Sequence, residues 1–517
     1  MIPRLLVTTL VLFLVAVRGY GAPEKPNIVI IYADDLGFGD VQCYNPERGK
    51  IPTPHIDRLA AEGMRFTDAH SSSGVCSPSR YTLLTGRYHW RSRLQRGIVG
   101  LWGAPLIPAD RATIASIAKQ QGYQTACIGK WHLGWDWPIS EESRELFRTT
   151  GYGGRKDLTA TDAHRAAWGE AFSQAIEGGP TAVGFDSYFG TDVPNWPPYC
   201  FIENDRTVGI PSEYAAPELF ERNQASQQGP ALEGWTLEPI LPALGERAVH
   251  FLEQATTTPS PFLLYMPLTA PHTPLSVNDD WKNKSGLNLY ADFVMETDAV
   301  VGAVLDALDR LQLTGDTFVL FTSDNGCAPY IDVEELEAKG HYPSGPLRGY
   351  KNDVWEGGHR VPFIARWPGR IASNSQEDAL VHQADVFATV SDLVGATLAN
   401  NAGEDSFSLL PLLFEQTDAI RDTAVSCSGS GLPSFRMGPW KYIAGVGSGG
   451  WSKGGDDGQP VQLYNLETDL GETHNLAAEK PQQLAAMKNA FETVIARGGS
   501  RADTASNNDV PVVRFPK

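Results

Sequence analysis

The sequence predicts an α/β protein with a large mixed, mostly parallel central sheet flanked by helices, followed by a smaller C-terminal α+β domain with an antiparallel sheet. Three observations lead there. Five short apolar runs, at 27–32, 123–128, 261–267, 317–321 and 362–365, have the length and residue types of buried strands. Amphipathic, helix-like stretches at 53–62, 113–121, 243–253 and 290–311 lie between several of them, and such alternation builds parallel sheets through helical crossovers. Near residue 400 the pattern changes. Residues 426–434 are small and loop-like, 435–443 and 461–466 read as antiparallel strands, and 481–497 reads as a helix.

Length sets the domain plan. A chain of 517 residues exceeds what one compact core serves, so about two to three domains are expected. We place the main domain at 23–400, a C-terminal subdomain at 401–498 and a flexible, polar tail at 499–517. Within the main domain, residues 135–240 have weak periodicity and are rich in Trp, Gly and Pro, with Trp135, Trp137, Trp196, Pro197, Pro198 and Tyr199 prominent. A long irregular stretch in a compact domain is usually functional, so it reads as an insertion that shapes a cleft.

At the N-terminus, a short positive region ending at Arg4 precedes an apolar run over 5–17 and the small residues around Gly19-Tyr20-Gly21. That run is shorter than the roughly 20 residues that span a bilayer, so 1–21 reads as a secretory signal peptide. The expectation is a secreted or periplasmic protein with no stable membrane anchor. The formal net charge of −19 argues against nucleic acid and anionic membranes as partners, and confines any anion site to a local basic pocket. The six cysteines, Cys43, Cys76, Cys127, Cys200, Cys327 and Cys427, allow one or two bridges that spacing cannot assign.

Four of the expected strands run into residues of catalytic type. The first ends in Asp34-Asp35, the second in Lys130-Trp131-His132, the third leads to His272, and the fourth ends in Asp324-Asn325. In open α/β sheets, ligands bind beyond the carboxyl ends of the strands, so these groups are expected to converge on one site. Alone, an Asp-Asp pair at a strand end is most often a turn or a cap. Joined by Asp324 and Asn325 it becomes an all-oxygen set, which suits Ca²⁺ or Mg²⁺ and not Zn²⁺. Lys130 and His132, two residues apart on a strand, would share one face. Pro271 and Pro274 rigidify the turn around His272, which suits a positioned general acid.

The most informative segment is Cys76-Ser77-Pro78-Ser79-Arg80-Tyr81-Thr82-Leu83-Leu84-Thr85-Gly86-Arg87, led in by Ser71-Ser72-Ser73-Gly74. A lone cysteine is ordinarily a small buried hydrophobe, but these surroundings are polar. The segment resembles the signature of the type I, formylglycine-dependent sulfatases, arylsulfatase-like members of the alkaline phosphatase superfamily. Gly129-Lys130-Trp131-His132-Leu133-Gly134 resembles that family's second signature, and Arg348-Gly349-Tyr350-Lys351 with Glu356-Gly357-Gly358-His359-Arg360-Val361-Pro362 resembles a third phrase. Leu463-Tyr464-Asn465-Leu466, followed by Asp469, Glu472 and Asn475-Leu476, resembles the end of its C-terminal domain. The likeness runs from Asn27 to about Leu476, with the motifs in the family's order.

The resemblance implies that Cys76 is oxidised to 3-oxoalanine (formylglycine) by a formylglycine-generating enzyme and works as its hydrated diol. One hydroxyl of a diol can attack sulfur, and the other can then lose its proton and expel sulfate as the aldehyde re-forms; a serine would leave a stable sulfate ester behind. By the same resemblance Asp34, Asp35, Asp324 and Asn325, with the modified Cys76, hold a divalent metal, usually calcium, with Mg²⁺ also admissible. Lys130 and Lys351 bind sulfate oxygens, Arg80 and His132 contact the modified residue, His272 lies at the leaving-group oxygen, and Arg87 supports the modified loop.

The implied activity is sulfuric ester hydrolysis on sulfated carbohydrate. Trp196-Pro197-Pro198-Tyr199-Cys200-Phe201-Ile202-Glu203-Asn204-Asp205-Arg206 resembles polysaccharide-degrading bacterial sulfatases, some of which act on 6-sulfated galactose or N-acetylgalactosamine. Two alternatives stand beside it: a phosphate or phosphonate ester hydrolase of the same superfamily, and a non-catalytic binder of sulfated glycans if Cys76 stays a thiol.

Overall fold

The computed structural model describes residues 25–220, 225–455, 457–504 and 506–513, so the leader expected at 1–21 lies outside the described residues. All five expected runs are strands of one ten-stranded sheet. Its strands are β1 (Asn27–Ala33), β2 (Met64–Phe66), β3 (Gln124–Lys130), β4 (Ser187–Thr191), β5 (Ile202–Glu203), β6 (Arg206–Thr207), β7 (Phe262–Pro267), β8 (Thr317–Ser323), β9 (Phe363–Arg366) and β10 (Ser375–Glu377). They lie in the order β10-β2-β9-β8-β1-β7-β3-β4-β5-β6. The central block β8-β1-β7-β3-β4 is parallel throughout. Antiparallel pairings flank it at β8–β9, β9–β2, β4–β5 and β5–β6, and β10 runs parallel to β2 at the edge.

Helices cover both faces. α1 (Pro54–Ala61), α5 (Ile240–Ala255) and α6 (Leu289–Arg310) pack on Val29, Ile31 and Ala33 of β1 and their neighbours. α2 (Cys76–Thr85), α3 (Ile114–Gln120) and α7 (Asp385–Val394) pack on Ile28, Ile30 and Tyr32. A strand buried from both sides has no polar face, which is why β1 reads as one continuous apolar run. The helix ends carry local signals. Thr113 and Ser116 form a capping box at α3, and the Asn288 side chain accepts from the Ala291 amide at α6. The start of α1 is capped from a distance instead: the buried Asp298 carboxylate of α6 accepts from the amides of His55 and Ile56 at 3.1 and 2.8 Å.

The stretch 135–240 carries α4 (Asp162–Phe172) together with β4, β5 and β6, which extend the main sheet. Its weak periodicity has a simple cause, since β5 and β6 are two residues each. After α7 the chain forms the antiparallel meander β11 (Thr423–Cys427), β12 (Pro433–Met437), β13 (Trp440–Ile443) and β14 (Gln462–Asn465), packed against α8 (Pro481–Arg497). The span 435–443, read as one strand, is a hairpin. Gly438 takes φ 56° there and Pro439 has no amide to donate, so the ladder must break. β11 and the start of β12 also occupy part of 426–434, expected to be loop.

The described residues after α8, in a stretch expected to be a loose tail, run back over the body. Asp509 meets Arg87 at 3.0 Å, and Asn508 accepts from Arg91 at 2.9 Å. The tail is polar because its partners are buried arginines. All six cysteines are unpaired thiols. Among the described residues no helix is long and apolar enough to cross a membrane.

The cap supplied by Asp298 is testable. Asp298→Ala leaves two amides at a buried helix start without an acceptor, and should lower the unfolding free energy by about 1–2 kcal/mol in urea titrations. An unchanged midpoint would show that α1 needs no such cap.

Candidate active site

The carboxyl ends of β1, β3 and β8 deliver their polar residues to one buried pocket. The chain leaves β1 with Asp35 in a left-handed conformation (φ 63°), and the ends of β1 and β8 are laced together there. The Asp324 amide donates to the Ala33 carbonyl at 3.1 Å, the Asp35 amide to Asp324 Oδ1 at 3.1 Å, and Asn325 Nδ2 to Asp35 Oδ1 at 2.8 Å. At the end of β3, Gly129 has φ 144°, and a Cβ there would meet the Pro267 carbonyl oxygen at 1.8 Å. Only glycine lets β3 and β7 approach so closely just before Lys130.

Opposite charges then pair, each lysine on one aspartate and Arg80 across two. Lys130 Nζ lies 2.6 Å from Asp34 Oδ2, Lys351 Nζ lies 2.6 Å from Asp35 Oδ2, and Arg80 Nη2 lies 2.9 Å from Asp324 Oδ2. Cys76, the first residue of α2, sits among them with Sγ 3.6 Å from both Asp34 Oδ1 and Lys130 Nζ. Burial pushes the Cys76 thiol up despite the two lysines, so as a thiol it stays protonated and is a poor nucleophile.

The donor set suits a hard divalent cation. Ligand atoms of Asp34, Asp35, Cys76 and His272 all lie within 4.8 Å of one another. Asn325 Oδ1, beside them, is buried with no hydrogen-bond partner. Burial first, and the Asp34 charge second, push Asp324 up to about 7, against the pull of Arg80. Burial also opposes ionisation of Asp34, yet Lys130, with Arg80 and Lys351, holds its carboxyl well below the usual range. Crowded carboxylates with an orphaned carbonyl oxygen are what a Ca²⁺- or Mg²⁺-type ion would relieve.

The two histidines depart from the expected arrangement in detail. β3 ends at Lys130 and His132 has φ 53°, so strand alternation does not place these two side chains on a common face. The chain turns away because the His132 amide donates to the Asp192 carboxylate and carbonyl, both at 3.1 Å, beyond the end of β4. His132 Nε2 faces the Val99 carbonyl at 3.2 Å, and a carbonyl only accepts. The proton is therefore on Nε2, leaving the buried Nδ1 as an unpartnered acceptor. Burial, with Lys130 and Arg80, holds His132 far below its ordinary value. His272 donates from Nδ1 to the Thr273 carbonyl, with Nε2 3.6 Å from Asp35 Oδ2. Burial and then Lys351 bring His272 down to about 4, so both rings are neutral.

Of the residues singled out in the sequence, Asp34, Asp35, Cys76, Arg80, Lys130, His132, His272, Asp324, Asn325 and Lys351 gather in or around this pocket. Arg87 does not. It forms ion pairs with Glu404 at 3.1 Å and Asp509 at 3.0 Å, tying the end of α2 to the chain's last described segment. Two supporting residues escaped the sequence reading. Asp353 accepts from the Tyr350 amide at 2.9 Å and the Trp451 amide at 3.0 Å, holding the turn that carries Lys351; an Asp at the end of a Gly-Tyr-Lys-Asn turn was the available signal. Asp192, pushed up to about 6 by burial, orients His132 and carries no sequence signal, because β4 itself has no clear pattern.

Comparison with known proteins adds a separate line of observation. A family model described as Sulfatase matches residues 26–396. An N-acetylgalactosamine-6-O-sulfatase from Bacteroides thetaiotaomicron is 32% identical, with the alignment covering 92% of this chain and 94% of that protein. Human arylsulfatase G is 31% identical over 88% of this chain and 83% of its own length, and human steryl-sulfatase 33% identical over 76% and 70%. Among solved structures, one titled for the metabolism of multiple glycosaminoglycans by Bacteroides thetaiotaomicron, and labelled 6S-sulf, superposes with a TM-score of 0.76 at 29% identity. It covers 91% of this chain and 99% of that one.

A metal titration tests the donor set without any activity assay. A divalent cation such as Ca²⁺ at about 100 times its Kd should stabilise the fold by about 2.7 kcal/mol, read as a rise in Tm. Asp324→Ala should abolish that rise, and a variant that keeps it would remove Asp324 from the ligand set.

Proposed function

The chain belongs to the sulfatase family of sulfate-ester hydrolases, and from that premise we propose that it is an exported, formylglycine-dependent sulfatase acting on sulfated carbohydrate, with 6-sulfated galactose or N-acetylgalactosamine units as its substrates. The observation that carries the reading is the setting of Cys76: a buried cysteine at a helix start, 3.6 Å from both a lysine and a carboxylate, inside a pocket that gathers Lys130, Lys351 and Arg80 in a chain of net charge −19. The choice of sugar leans on the relative named an N-acetylgalactosamine-6-O-sulfatase, and export on the N-terminal leader.

Oxidised to formylglycine and hydrated, Cys76 would supply one hydroxyl to attack sulfur and a second whose deprotonation expels sulfate and restores the aldehyde. A Ca²⁺ ion, or Mg²⁺, held by Asp34, Asp35, Asp324 and Asn325 would supply Lewis acidity toward a sulfate oxygen. The chain's own groups do the remaining work. Lys130 and Lys351, aligned by their carboxylates, present ammonium groups to sulfate oxygens. Arg80 holds the carbonyl of Lys130 at 3.0 Å and bridges Asp34 and Asp324, keeping the modified residue's surroundings rigid. His132, with its proton fixed on Nε2, offers Nδ1 to take a proton from the diol. His272 starts neutral, and the negative charge of a bound ester opposes the depressing effect of Lys351, favouring protonation of Nε2 for delivery to the departing alcohol.

Two measurements test this. The tryptic peptide 66–80, from protein made in its native host, should weigh about 18 Da less than the thiol form. Cys76→Ala should reduce turnover of a sulfate ester by at least about 1,000-fold while far-UV circular dichroism and Tm hold steady. Substantial residual turnover in that variant would exclude the covalent route.

A further inference from the structure

Beyond the charged pocket, two of the exposed large aromatic side chains lie together. Tyr330, on the loop after β8, is 43% exposed, and Trp451, on the loop between β13 and β14, is 49% exposed. Their rings lie together, with centroids 5.5 Å apart and planes at 56°. Neither belongs to a hydrophobic cluster of the core, and a pair of exposed aromatic rings beside a charged pocket marks a surface suited to ligand contact.

Both rings are tied to the pocket. Tyr330 lies within electrostatic range of Lys351, Asp35 and Cys76, and its hydroxyl sits beside the side chain of Thr273. The Trp451 loop is bolted to the turn that carries Lys351. The amides of Trp451 and Ser452 both donate to Asp353 Oδ1, at 3.0 and 3.1 Å, and the Val354 amide donates to the Ser448 carbonyl at 2.8 Å. Gly450 permits the contact, since a Cβ there would meet the Asn352 carbonyl oxygen at 2.4 Å. The main domain thus sets one ring beside the pocket, and the C-terminal domain sets the other.

We propose that Tyr330 and Trp451 form a wall on which the sugar ring bearing the sulfate ester is seated, making both of them specificity-determining residues. The inference rests on the sulfate-ester reading. A pyranose has apolar C–H faces and a hydroxyl-lined edge. Aromatic rings complement the faces, while the neighbouring Tyr330 and Thr273 hydroxyls are placed to bond the edge. A bare sulfate ion reaches only the lysines and gains nothing from this wall.

That asymmetry defines the test. Trp451→Ala and Tyr330→Phe are assayed, as matured enzyme, on a 6-sulfated N-acetylgalactosamine disaccharide and on 4-nitrophenyl sulfate, with inorganic sulfate as a competitive inhibitor. Trp451→Ala should raise KM for the disaccharide roughly ten-fold or more, with the sulfate inhibition constant within about two-fold of the parent and rescue by Trp451→Phe. Tyr330→Phe should raise the disaccharide KM by a smaller factor. A disaccharide KM unchanged in Trp451→Ala would overturn the wall, as would equal losses for disaccharide and sulfate, which would mean that the loop only props Lys351. A parent enzyme that cleaves 4-nitrophenyl sulfate but no sulfated saccharide also overturns it, leaving the sulfatase reading in place. A parent that cleaves neither refutes both.

Discussion

Three carboxylates and three cations share one buried pocket, and much of the molecule serves that balance. Asp34, Asp35 and Asp324 meet Lys130, Lys351 and Arg80 within 3 Å, all of them buried. Breaking one partner of a buried ion pair typically costs about 3–5 kcal/mol, because the charge left behind is neither solvated nor matched. The arrangement is tolerable only if every member is held in place. The parallel strands do this for Asp34, Lys130 and Asp324, whose backbones continue hydrogen-bonded ladders. α2 does it for Cys76 and Arg80, which lie one helical turn apart on the same face.

Lys351 sits on no strand or helix, and its placement depends on the C-terminal domain. Asp353 holds its turn to the Trp451 loop. Four residues beyond the turn, Glu356 accepts Lys441 of β13 at 2.9 Å, and the same lysine reaches Glu472 at 2.8 Å. Arg436 of β12 adds a bond to Asp68 at 2.9 Å, close to His70 and the serine run that leads into Cys76. The second domain is therefore part of the site's scaffold. Buried charge bridges both the loop carrying Lys351 and the approach to Cys76, so the smaller C-terminal α+β domain supports the site from one side.

Much of the fold was legible because burial from two sides leaves a plain record. β1, β7 and β8 carry unbroken apolar stretches at 28–33, 262–266 and 318–321, with polar residues only at their ends. The polar residues that end them stand out for the same reason. Legibility failed where structure depends on partners distant in sequence. β5 and β6 are too short to show a period, the β12–β13 turn hides inside an apolar run, and the last segment is ordered by Arg87 and Arg91, over 400 positions away.

The sequence alone determined the chemistry available at each strand end: which carboxylates, which cations, which cysteine, and in what order. Those are local properties of residue type and of neighbours a few positions apart. Only the tertiary structure decided the one-to-one pairing of Lys130 with Asp34 and Lys351 with Asp35, the tautomer that leaves His132 Nδ1 free, and the meeting of Tyr330 with Trp451. Charge pairing, proton placement and ring contact act over a few ångströms in space, and here they join residues separated by 33 to 316 positions along the chain.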